Sequence, residues 1–142
     1  MTERPDSSER PESAERPDLS GRHSVQIAAA IDVVAIMAFV VIGRKNHDGG
    51  SALSGVVKVA APFLIALAIG WLAARAWKSP MAVGTGVIIW LVTTIGGLVL
   101  RKVAFDGGTA MAFIIVASLF TLATLVGWRF VNEWRQSRSD AV

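Results

Sequence analysis

Four apolar stretches, separated by short polar turns, set the plan of this chain. The first, residues 24–43, is interrupted only by Gln26 near its start and Asp32 close to its centre. The second, residues 54–77, has an apolar core, Val59–Ala74, framed by Lys58 and Arg75. Met81–Leu100 and Thr109–Trp128 carry no charged residue at all. About 20 apolar residues are needed to cross a bilayer's hydrocarbon core as a helix. The pattern therefore predicts an all-α fold with transmembrane helices over about 24–43, 54–77, 81–100 and 109–131. Short connections force neighbouring helices to run antiparallel, which makes the expected architecture a four-helix transmembrane bundle.

The pattern also repeats. Arg44-Lys45 followed by Asp48-Gly49-Gly50-Ser51 returns as Arg101-Lys102 followed by Asp106-Gly107-Gly108-Thr109. Over Val59–Trp77, a shift of 57 residues finds seven identities in nineteen positions, including Gly70/Gly127, Trp71/Trp128 and Trp77/Trp134. We read two tandem helical hairpins.

Composition agrees with a membrane domain. The chain is 53% hydrophobic and 18% charged, with mean hydropathy +0.52, where a soluble domain carries about 25% charge. Nine of the charges lie in residues 1–21, in which Glu-Arg-Pro-Asp/Glu occurs three times at a period of six. Proline at that spacing forbids a continuous helix and little apolar surface is present, so residues 1–23 are expected to be a disordered acidic tail. The acidic leader, without a small-residue cleavage site, is not read as a secretory signal. Residues 135–142 are expected to form a short C-terminal tail. Cysteine is absent, which excludes disulfides and thiolate metal sites.

Four crossings put both termini on one side. That side holds Arg16, Arg22, Arg75, Lys78, Arg129, Arg135 and Arg138, against Arg44, Lys45, Lys58, Arg101 and Lys102 on the other. The excess is small but favours cytoplasmic termini in a cell membrane. Trp77, Trp128 and Trp134 fall on the termini side, as an interfacial belt.

Among the polar positions Asp32 says most. A carboxylate in a transmembrane helix costs roughly 2.5–3.5 kcal/mol on insertion scales, so it should face the bundle interior, with Ala28, Ala29, Ala35 and Ile36 around it. It is either a structural group bonded to threonines of other helices or a proton or cation site in a transport path. A second cluster, Arg44, Lys45, His47, Arg101 and Lys102, gathers on the face opposite the termini. It reads as helix-end anchoring or as an anion or lipid-headgroup site. One histidine there makes no metal site, and no cofactor is implied. Small-residue stripes at Ala66/Gly70/Ala74, Gly86/Thr93/Gly97 and Ala117/Thr121/Thr124 suit close helix packing. Thr93, Thr94, Ser118, Thr121 and Thr124 could alternatively line a path. No nucleophile elbow, paired carboxylate, phosphate loop or zinc pattern is present, so no enzyme activity is expected. The expected partners are the lipid bilayer and a second copy or another membrane protein, not nucleic acid.

Asp32, Ile42-Gly43-Arg44 with His47, Gly70-Trp71, Ala74-Arg75-Ala76-Trp77 and Leu100-Arg101 together resemble a bacterial family of short four-helix membrane proteins. That family, known mostly from high-GC Gram-positive lineages, is catalogued as a domain of unknown function. The resemblance spans Ser24–Trp134 and implies an integral membrane protein. It brings no substrate or cofactor. The chain then reads as a non-catalytic accessory or assembly subunit, with a small transporter or channel protomer as the alternative. With cytoplasmic termini, a cysteine placed at Asn46 reacts with an impermeant thiol reagent in intact cells and one at Ser79 does not. The opposite labelling reverses the orientation.

Overall fold

The computed structural model describes residues 19–44, 52–105, 108 and 110–139. These form four helices and, among the described residues, no strand: α1 (Leu19–Arg44), α2 (Ala52–Ala73), α3 (Val83–Val103) and α4 (Met111–Ser139). All four are long and apolar enough to cross a membrane. α4 is one rod in which a π-helical turn, Leu122–Val126, joins two α-helical parts, Met111–Thr121 and Gly127–Ser139.

The boundaries depart from the hydropathy pattern at three places. α1 starts at Leu19 rather than Ser24, so residues 19–23, expected in the disordered tail, are helical. No proline falls between Pro17 and Pro62, and nothing in the sequence stops the helix from reaching back. α4 continues to Ser139, through residues expected in a C-terminal tail. α2 ends early, at Ala73 rather than Trp77.

The early end has a local cause. The Arg75 N–H donates to the Leu72 carbonyl at 3.1 Å and the Ala76 N–H to the Trp71 carbonyl at 3.0 Å, the paired bonds of a Schellman cap. Such a cap needs a left-handed residue, and Arg75 takes it at φ 48°. Ala76, just past the cap, belongs to the buried core, and Trp71 packs against that core.

The helices close into a ring. α2 lies against α1 and most extensively against α3, α3 lies against α4, and α4 returns to α1. The core stacks in layers along this ring. At mid-length of α2, Phe63 meets Phe39 edge-on at 5.5 Å between centroids, with Phe113 and Phe120 within 5.9 Å of Phe39. Gly97 makes room for this layer, since a Cβ there would lie 2.5 Å from the Phe63 ring. Toward the termini come a hydroxyl pair, Thr94 and Thr121 at 3.0 Å, and an apolar layer of Ile36, Leu67, Ile89 and Leu125. The outer faces carry Val34, Leu72, Ile95 and Leu119, each 60% exposed or more, as a lipid-facing surface requires.

Left-handed backbone costs a non-glycine residue about 1–2 kcal/mol, partly offset in glycine by its greater unfolded freedom. Arg75→Gly should therefore stabilise the protein by roughly 0.5–1 kcal/mol in detergent melting, and Arg75→Val should destabilise it. A melting order other than Gly, Arg, Val from most to least stable rejects the cap.

Candidate functional site

One layer nearer the termini, the interior becomes ionic. Asp32 of α1 and Arg129 of α4 are both fully buried. The two join as a fork: Nη1 donates to Oδ1 and Nη2 to Oδ2, each at 2.8 Å. Two indoles complete the carboxylate's surroundings. Trp71 Nε1 donates to Oδ2 and Trp128 Nε1 to Oδ1, both at 3.0 Å. A carboxylate offers about four lone-pair sites, and four N–H donors fill them here.

The guanidinium is equally well held. Nε donates to the Pro80 carbonyl at 2.9 Å and Nη1 also to the Leu125 carbonyl at 2.6 Å. The group lies over the Trp128 ring, 4.4 Å from its centroid. Two features of the backbone permit this. Gly86 leaves the path clear, because a Cβ there would stand 2.7 Å from Arg129 Cδ. The π turn just before Gly127 inserts one residue into the helical ladder, which turns every later side chain by about 100° relative to an unbroken α-helix. Trp128 and Arg129 both reach Asp32 from that shifted register.

The pair does not sit at the middle of the bundle, where the apolar pattern puts Asp32. Asp32 is seven residues from Phe39, which is level with Phe63 at mid-length of α2, so it lies about 10 Å from mid-plane. A bilayer centred on that layer, with a hydrocarbon half-thickness of about 15 Å, would hold the pair inside its core near the termini-side edge. Pro80, in the α2–α3 connection, is level with it.

Residues 29–132 match a family model, a stretch that includes Asp32, Trp71, Trp128 and Arg129. The chain belongs to the DUF3054 family, described as proteins of unknown function. No curated protein and no solved structure matches the chain.

Several sequence readings change against this geometry. The partners of Asp32 in this DUF3054 member are an arginine and two tryptophans, not threonines. Arg129 and Trp128, read as interfacial residues, belong to the buried site, whereas Trp77 and Trp134 are half-exposed. Along the candidate polar path, Thr94 and Thr121 bond each other, Thr121 and Thr124 also bond carbonyls one turn back, and the Ser118 carbonyl accepts from Trp90 Nε1. Thr93 Oγ1 is buried without a partner among the described residues. Of the opposite-face cluster, Lys45 and His47 lie outside the described residues, and Arg44 closes α1. Arg101 donates to the Gly108 carbonyl at 3.2 Å and stacks on Phe113 at 4.6 Å, and Lys102 is exposed. Trp71 and Trp128, paired by the 57-residue shift, reach the same carboxylate. Gly70 and Gly127, paired by the same shift, differ in their surroundings: Gly70 lies close to the Ile89 backbone, whereas around Gly127 there is open space.

Removing one member of a buried pair strands the other, at a cost of about 3 kcal/mol or more. Arg129→Leu should lower detergent stability by that order. The double variant Asp32→Leu/Arg129→Leu should recover most of the loss, because no charge is left behind. Additive losses in this double-mutant cycle contradict direct coupling.

Proposed function

We propose that the domain is a non-catalytic scaffold of the cell membrane, an accessory or assembly subunit in which Asp32–Arg129 locks α1 to the second hairpin. The observation that carries this reading is the saturation of the Asp32 carboxylate. Its four acceptor positions are occupied by the protein's own donors, so no position is open to a travelling proton or cation. An ionic lock in a membrane interior also has a physical purpose. Apolar helices gain little from meeting each other in lipid, so hydrogen bonds and close approach decide which helices pair and in what register. Both termini are cytoplasmic in this reading, and the lock lies on the cytoplasmic half. Two tandem hairpins of common origin account for the matched use of Trp71 and Trp128. Arg129, which aligns with Leu72, is then the element that breaks their equivalence.

The alternative, a transporter or channel protomer, draws on the same carboxylate but has to separate it from Arg129 in every cycle. Asp32→Asn tells the two apart. An amide keeps the shape but has one acceptor oxygen for four donors, so a lock weakens, with a melting loss of about 1–3 kcal/mol. Complexes isolated in mild detergent lose their partner subunit in parallel. Unchanged melting and subunit composition with a lost cell phenotype favours the transporter.

A further inference from the structure

The termini-side rim carries a groove that the ionic lock does not use. It opens between α1 and α4, has a volume of about 260 Å³, and is walled by Ile27, Ile31, Met81 and Val131. Trp128, Asn132 and Arg135 complete the lining. Depth orders these groups. Arg129 is level with Asp32, about 10 Å from mid-plane, and Arg135 follows six residues later on the same helix, about 9 Å further out. That puts the Arg135 position about 19 Å from mid-plane, at the level of a bilayer's headgroup layer, while Ile31 is at the level of the hydrocarbon.

Arg135 differs from the other two arginines of α4 in what it touches. Arg129 is consumed by the lock, and Arg138 stacks on Trp134 at 3.9 Å. The Arg135 guanidinium meets no acceptor or ring among the described residues. Glu133, the nearest acid on the helix, is turned about 200° away. It accepts the Val83 N–H at 2.8 Å, at the start of α3.

The geometry points to a site for one anionic phospholipid of the bilayer: an acyl chain against Ile27, Ile31 and Val131, and the phosphate on Arg135 with the Asn132 amide. The apolar wall suits any lipid, and the unpaired guanidinium at phosphate depth supplies the preference for negative charge. Trp128 connects the sites, since its ring borders the groove while its N–H holds Asp32.

The test uses the full chain in a mild nonionic detergent, titrated with phosphatidylglycerol or with phosphatidylcholine of identical acyl chains, with bound lipid counted by native mass spectrometry. One phosphatidylglycerol should be retained with an apparent affinity about five-fold or more above that of phosphatidylcholine, the factor one cation near an anionic surface contributes. Arg135→Gln should abolish that preference and Arg138→Gln should keep it. Ile27→Trp, which obstructs the wall without changing charge, should weaken retention of both lipids. Arg135 and Ile27 are exposed, so both variants should fold, as helix content will verify. No preference for the anionic lipid, equal losses in Arg135→Gln and Arg138→Gln, or full retention in Ile27→Trp each overturns the site.

Discussion

A carboxylate and a guanidinium placed in hydrocarbon must find each other and must also fill their remaining hydrogen-bonding positions, because lipid supplies no substitutes. That requirement organises the termini half of this bundle. Asp32 brings together α1, α2 through Trp71, and α4 through Trp128 and Arg129, while Arg129 Nε reaches the α2–α3 connection at Pro80. Gly86 is small so that the arginine stem can pass, and the π turn sets the register that aims it. The phenylalanine layer at mid-length and the half beyond it show no comparable directional constraint among the described residues.

The division bears on what holds the helices in one arrangement. Aromatic and aliphatic layers pack well in several rotations, and in lipid they gain little from burial alone. A bidentate fork with two indole donors tolerates far less. Direction here comes from four charge-assisted or polar bonds on one carboxylate, and close approach comes from Gly70, Gly86 and Gly97. Neither alone would specify a single register.

How much of this was legible in the sequence depends on the residue. Four uncharged or nearly uncharged runs are a strong signal because the bilayer demands their length, so the helices and the all-α class could be read directly. Asp32 was visible because an acid breaks an apolar run. Its partner was not, since Arg129 follows Gly127-Trp128 at a helix end where cations and tryptophans ordinarily anchor an interface. Only the π turn, which has no composition of its own, brings that end inward. The early stop of α2 was hidden for a related reason. A Schellman cap usually announces itself by glycine, and here Arg75 takes the left-handed position. Lys45 and His47 of the opposite-face cluster lie outside the described residues.

The 97 residues that separate Asp32 from Arg129 carry a consequence for biogenesis. A ribosome delivers α1 to the membrane long before α4 exists, so the nascent carboxylate enters without its countercharge. Emergence of α2 brings one donor, the Trp71 indole, and a first hairpin that is only partly satisfied. The other three donors come with the last helix. Until then α1 has reason to stay beside the insertion machinery. Arrival of α4, rather than closure of the first hairpin, completes the carboxylate's surroundings.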